Sequence, residues 1–244
     1  DAKEAATAAA TNFDRIPELE VASDAAYLHI TSNETIQGVQ WREMPKTGDV
    51  PLVIDMSSDI MSRPFDVTQA GLLYAGAQKN LGPSGVTLVI VRDDLLNRAP
   101  DGLATMMDYR THVKNGSMYN TPPTFGIYML RNVLSWIKDQ GGLPAIEVVN
   151  ERKAARLYGV IDANPSVYTG HAVVGDRSRM NVPFKLADEA TEKAFLGEAE
   201  AAGLIGLAGH RSVGGCRASI YNAMPEDGVE ALAQFMESFA RRGA

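Results

Sequence analysis

Four short, almost unbroken apolar runs constrain the fold of this chain more than any other feature. They are Ala26-Tyr27-Leu28-His29-Ile30, Pro51-Leu52-Val53-Ile54-Asp55, Gly71-Leu72-Leu73-Tyr74-Ala75-Gly76 and Val86-Thr87-Leu88-Val89-Ile90-Val91. Runs of this length, rich in β-prone residues and closed by turn formers, suit buried parallel strands better than the alternating pattern of a half-solvated antiparallel sheet. The stretches between them are polar or helix-prone and of the length that strand–helix–strand crossovers require. The predicted fold class is therefore α/β with a mostly parallel sheet.

Downstream the rhythm changes. Pro122 and Pro123 precede a stretch in which Ile127, Leu130, Leu134 and Ile137 recur at helical spacing, and Gly141-Gly142 closes it. A domain boundary is expected there, dividing the chain into residues 1–142 and 143–244. The second part reads as a helix over 144–163, strands over 167–174 and 178–186, a helix over 188–202, a strand over 217–222, and a last helix ending at Arg241-Arg242. That is the pattern of a smaller α/β domain. At the other end, residues 3–10 are alanine-rich and predict the tail of a helix broken by Asn12 and Pro17.

Composition narrows the function classes. Acidic residues outnumber basic ones by 30 to 23 in 244 residues, a net charge of −7, so no broad basic surface is available for nucleic acid. No apolar run approaches the ~20 residues of a membrane-spanning helix, and no signal-like segment opens the chain, which is expected to be cytoplasmic. The single cysteine, Cys216, forms no intrachain disulfide, and four scattered histidines give no zinc-type spacing, so no metal is expected. The sequence opens on Asp1 and not Met, as expected of a chain whose natural beginning is missing.

Two residues stand where an open α/β sheet binds ligands, at the carboxyl ends of strands. Asp55 closes the second run; it either faces a ligand or caps the turn that holds Ser57 and Ser58. Lys79 follows the third run, in the small-residue loop Ala75-Gly76-Ala77-Gln78-Lys79-Asn80-Leu81-Gly82-Pro83-Ser84-Gly85. It is either a surface lysine or, if partly desolvated, an amine nucleophilic enough to form a Schiff base. Together they match the two groups that pyridoxal phosphate chemistry needs: an amine for the aldehyde and an acid on the ring nitrogen. Farther on, His210, Arg211 and Arg217 surround Gly214-Gly215, a constellation suited to carboxylate and phosphate, or else a solvated basic turn. His29, His112 and His171 lack such neighbours and read as packing or surface residues.

Longer motifs add to this. Ser32-Asn33-Glu34-Thr35-Ile36-Gln37-Gly38, Tyr74-Ala75-Gly76-Ala77-Gln78-Lys79-Asn80-Leu81-Gly82-Pro83, residues 115–125 around Asn120-Thr121-Pro122-Pro123, Arg179-Met180-Asn181-Val182-Pro183-Phe184, and residues 209–223 from Gly209-His210-Arg211 onward occur in order across nearly the whole chain. On these motifs the sequence resembles the phosphoserine aminotransferase family, class V enzymes of fold type I. The resemblance implies that Lys79 is the Schiff-base lysine of pyridoxal 5'-phosphate and Asp55 the partner of its pyridine nitrogen. It implies cofactor contacts from Thr35, Ser57 and Gln78, and from Asn120 and Thr121 to the phosphate bound by a neighbouring subunit, hence a homodimer with shared sites. Taken locally, Asn120 or Thr121 could instead cap a helix before proline. Arg217 would hold the substrate α-carboxylate, with His210 and Arg211 near its phosphate or side-chain carboxylate.

The implied reaction moves an amino group from glutamate to 3-phosphohydroxypyruvate, in serine biosynthesis and also in pyridoxine biosynthesis. Residues 1–142 would then be the remainder of the large cofactor-binding domain. The resemblance also implies a further N-terminal segment with a glycine-rich turn for the cofactor phosphate, a ring that stacks on the pyridine, and another substrate arginine. None of these is in the chain; Trp41 and Trp136 lie in other contexts, a strand after the Thr35 loop and a helix. The chain is thus expected to be N-terminally truncated and to hold the cofactor weakly or not at all. The alternatives are a catalytically silent fragment, or another class V enzyme such as an alanine–glyoxylate aminotransferase or a cysteine desulfurase. Cys216 lies between Gly215 and Arg217 and not on a long mobile loop, which counts against the desulfurase.

Overall fold

The computed structural model describes residues 2–243; Asp1 and Ala244 lie outside them. The strands and helices, in chain order, are β1 (Leu28–Thr31), β2 (Asn33–Glu34), β3 (Val39–Gln40), β4 (Leu52–Asp55), β5 (Leu72–Gly76), β6 (Thr87–Val91), α1 (Asp93–Asn97), α2 (Tyr109–Lys114), α3 (Thr124–Asp139), α4 (Gly142–Ala163), β7 (Tyr168–Gly170), β8 (Asn181–Leu186), α5 (Glu189–Ala201), β9 (Cys216–Ser219) and α6 (Glu226–Gly243).

The four apolar runs form one sheet in the order β1-β4-β5-β6. β1, β4 and β5 are parallel, as expected. β6 differs: it pairs antiparallel with β5, because the connection between Gly76 and Thr87 is a string of turns too short for a parallel crossover. One face of the sheet is core. Leu28, Ile30, Leu52, Ile54, Leu73 and Ala75 alternate onto it and pack with Met56, Ile60, Ala77 and Leu81. The opposite row, His29, Thr31, Val53, Asp55, Leu72 and Tyr74, is partly buried or exposed. Continuous apolar sequence therefore overstates burial, since only every second residue of these strands is core.

Residues 3–10 do not form the expected helix. Only a short 3-10 turn, Ala9–Thr11, appears, and its residues bury nothing. Alanine propensity alone does not offset the cost of starting a helix that has no face to pack.

The second part is built on the antiparallel sheet β7-β8-β9. Its strands are shorter than the sequence suggests; β7 stops at Gly170 and Val174–Asp176 is a 3-10 turn. Tyr168, Phe184 and Phe195 meet edge to face in its core, with centroids 5.7–6.0 Å apart, and Phe235 and Phe239 of α6 join Phe195. Lys153 of α4 is buried in this region. Its Nζ donates to the carbonyls of Ile220, Tyr221 and Met224 at 3.0, 2.9 and 3.0 Å, and burial pushes its pKa down to about 8. The three acceptors use all three ammonium protons. Lys153→Met should leave these carbonyls without that donor and lower unfolding free energy by about 3 kcal/mol or more, read as a drop in denaturation midpoint. An unchanged midpoint would show that the carbonyls find water.

Buried polar side chains join the two sheets. Asn33 Nδ2 donates to Ser58 Oγ (2.8 Å) and to Asn181 Oδ1 (2.9 Å), while Ser178 Oγ donates to Asn33 Oδ1. Asn150 Nδ2 donates to Ser62 O (3.0 Å) and Asn222 Oδ1 (2.9 Å), and the Asn222 N–H donates to Asn80 Oδ1 (3.0 Å). Such bonds are directional, so they fix how β9 stands against the carboxyl ends of β4 and β5.

Candidate active site

The carboxyl ends of β4 and β5 each give way to a turn, and Ser57 ties the two together. Its N–H donates to Asp55 Oδ1 (2.9 Å), and its Oγ accepts from the Gly76 N–H (3.0 Å). Asp55 therefore does cap its turn, through one oxygen. Thr31 and Tyr74 are its neighbours in register on β1 and β5. The Tyr74 phenol is held above its ordinary pKa by burial and by the Asp55 charge, and its hydroxyl lies 3.0 Å from His29 Nε2. His29 is exposed, as expected of a surface residue, and has a specific partner on the open face.

Lys79 sits in the turn after β5, between the buried side chains of Ala77 and Leu81 that anchor it. Its amine is half-buried, and Nζ donates to Thr35 Oγ1 at 2.6 Å. Desolvation lowers its pKa, and the positive charge of Arg217 acts in the same direction; Asp55 and Glu34 oppose them. Glu34, next to Thr35, is held above the usual carboxylate range by burial and by Asp55. The Gln78 side chain lies exposed over Gly76, where an added Cβ would stand 2.6 Å from its Oε1.

Arg217 comes from the other sheet, on β9 opposite Pro183 of β8. Its Nε is buried and has no hydrogen-bond partner among the described residues. A buried guanidinium N–H left unpaired is costly, and a bound carboxylate would satisfy it. Just upstream, the Gly209 N–H donates to Gly215 O, and Gly214 and Gly215 have φ of +66° and +72°. A Cβ at Gly209 would stand 2.1 Å from Gly214 O, so this loop requires glycine. It presents His210, whose Nδ1 lies 2.7 Å from Ser212 Oγ, and an exposed Arg211. Cys216 is buried, and burial pushes its thiol up to about 12, an unreactive state.

The structure thus brings Lys79, Thr35, Asp55 and Arg217 into one electrostatic neighbourhood, with Ser57 and Gln78 at its rim. Asn120 and Thr121 are exposed on the loop before α3, and neither bonds to the other site residues. Neither caps α3, whose N-cap is Pro123 without a side-chain bond. Sequence reasoning passed over Glu34, Tyr74 and Asp59. Glu34 and Tyr74 lie inside quoted motifs and Asp59 lies in the turn after β4, but only three-dimensional register gives them their neighbours.

Comparison with known proteins bears on this arrangement. The Aminotransferase class-V profile matches residues 10–232. A curated phosphoserine aminotransferase of Geobacillus kaustophilus is 61% identical over 236 residues, covering 96% of this chain and 65% of the relative. The solved phosphoserine aminotransferase from Bacillus circulans subsp. alkalophilus superposes with a TM-score of 0.96 at 55% identity, over 98% of this chain and 67% of that one. A pyridoxal phosphate-bound phosphoserine aminotransferase from Trichomonas vaginalis gives 0.88 at 41% identity, over 93% and 65%. The chain spans about two thirds of the length of these proteins.

Proposed function

The chain belongs to the class-V aminotransferase family, and we propose that within it the chain carries the amine, ring-nitrogen and substrate-carboxylate groups of a phosphoserine aminotransferase acting with pyridoxal phosphate. The observation that carries this reading is the half-buried Lys79 amine, bonded to Thr35 Oγ1 at 2.6 Å and flanked by Asp55 and Arg217. The donor set fits the cofactor: an amine with lowered pKa for the aldehyde, a carboxylate for the ring nitrogen, hydroxyls of Thr35 and Ser57 at the edge, and an orphaned arginine for the amino acid.

When bound, pyridoxal phosphate supplies an aldehyde carbon and an electron-withdrawing ring. Lys79 Nζ would be the nucleophile toward that aldehyde, and as a free amine it would be the base that takes the proton from the substrate Cα. Thr35 orients Nζ through its hydroxyl. Asp55 would hold a proton on the ring nitrogen. Arg217 binds the α-carboxylate, while His210 and Arg211 face the phosphate of 3-phosphohydroxypyruvate or the side-chain carboxylate of glutamate. The Gly209 to Gly215 loop suits a phosphorylated substrate, and the buried Cys216 thiol does not suit a persulfide carrier. This activity would serve serine biosynthesis, with related use in pyridoxine synthesis, in the cytoplasm. The division at residues 142 and 143 separates the cofactor-binding part from the smaller domain in this reading.

Asn120 and Thr121 would act on the partner's cofactor phosphate in a homodimer. Exposed Met118, Tyr119, Phe125 and Tyr128 flank them in sequence and support a covered face. Mixing Lys79→Ala chains with Asn120→Ala chains should restore roughly a quarter of the wild-type activity, because half of the dimers are mixed and each has one intact site. No recovery would place both residues in the same subunit's site.

The reading is tested by incubating the chain with pyridoxal phosphate and borohydride, then mapping the label. Label on Lys79, with 2-oxoglutarate-dependent consumption of phosphoserine by the protein at the full length of its relatives, is the expected result. Label spread over surface lysines, or glyoxylate preferred over phosphorylated substrates, would overturn it.

A further inference from the structure

Asp59 is a buried carboxyl that the proposed chemistry does not use. It lies in the turn after β4, 1% exposed, and none of the ion pairs among the described residues includes it. Its two oxygens have different partners. Oδ2 accepts from Gln40 Nε2 at 3.0 Å. The Gln40 amide cannot turn round, because its Oε1 already accepts from the Arg179 N–H (2.9 Å) and Arg42 Nη1 (3.1 Å). Oδ1 meets Ser32 Oγ, and that same Oγ lies 3.1 Å from the backbone carbonyl of Asp55.

A serine hydroxyl has one proton, and here it faces two oxygens. If Asp59 is ionised, both are pure acceptors and one contact has no hydrogen in it. If Asp59 carries a proton on Oδ1, the whole chain is satisfied: Asp59 O–H donates to Ser32 Oγ, and Ser32 O–H donates to Asp55 O. We infer that Asp59 is a positioning residue held as the neutral carboxylic acid, passing a hydrogen bond through Ser32 to the backbone of Asp55. Burial works in the same direction and holds this carboxyl above the usual range, against the bonds from Ser32 and Gln40 and the charge of Arg63. The charged groups that face it are Arg63, Asp55 and Lys79. Neutrality leaves Asp55 without a second anion behind it, and the Ser32 bond fixes the strand end that aims it. The charge state stands on this geometry alone; its consequence for Asp55 rests on the proposed function.

Asn at this position reproduces the neutral acid, with Nδ2 donating to Ser32 and Oδ1 accepting from Gln40. The test compares the 244-residue chain with its Asp59→Asn variant. Infrared difference spectra at about pH 8 should show a carbonyl stretch of a protonated carboxylic acid that the variant loses. In reversible denaturant unfolding, a group whose folded pKa is raised stabilises below its unfolded pKa and loses that contribution as pH rises. The folding constant of the wild type should therefore fall relative to Asp59→Asn by about tenfold per pH unit from about pH 4 upward, until the buried acid ionises. Absence of the acid band at about pH 8 would overturn the inference. So would parallel stability curves for the two proteins, whichever activity the site proves to have.

Discussion

Lys79→Ala is expected to abolish borohydride-fixed labelling by pyridoxal phosphate at this turn and to reduce transamination by about 10³-fold or more. Two losses combine. The variant has no amine for the aldehyde, and it has no base at the substrate Cα, a role worth about 10²–10⁴-fold by itself. Another lysine does not replace it, because the amine needs the half-buried position beside Thr35 and Arg217. The wild type should also show a shifted pH dependence. A lowered amine pKa raises the neutral fraction at a given pH, so labelling of Lys79 should reach its midpoint below the ordinary lysine value of 10.5. A midpoint at that value, or near-wild-type turnover by Lys79→Ala, would remove Lys79 from the mechanism.

Lys79 and Asp55 are legible in the sequence because a strand end is a position that one dimension records. An apolar run that stops, followed by small residues and a single charged one, states where the side chain will stand. The parallel pairing of β1, β4 and β5 is legible for a similar reason, through run composition and crossover length. The reversal at β6 depends on how the turns between Gly76 and Thr87 close. The orphaned Nε of Arg217 depends on which sheet β9 joins. Neither is a local property. The helix expected over residues 3–10 fails for the converse reason: local propensity is present but packing is absent. The polar network of Asn33, Ser58, Ser178 and Asn181 was hidden most completely. Its members lie up to 148 residues apart and look individually like turn residues.

Asp55 poses a sharper question, because the structure supports both local readings of it. Oδ1 accepts the Ser57 N–H and so caps the turn, and the carboxylate also stands beside Lys79. Asp55→Asn separates these roles. An asparagine Oδ1 can accept the same N–H, so the turn, the Ser57 link to Gly76 and the fold should persist, with a denaturation midpoint close to that of the wild type. What the variant loses is the negative charge that keeps a proton on the ring nitrogen. Electrostatic stabilisation by one preorganised group is worth about 10²–10³ in rate, and turnover should fall by that factor while label still reaches Lys79. The charge also opposes the lowering of the Lys79 pKa, so its removal should move the labelling midpoint to still lower pH. Three readouts therefore diverge in one variant: stability unchanged, proton removal slow, lysine more readily neutral. Unchanged turnover would reduce Asp55 to a turn cap, and a large loss of stability would mean that the turn needs the charge and not only the acceptor.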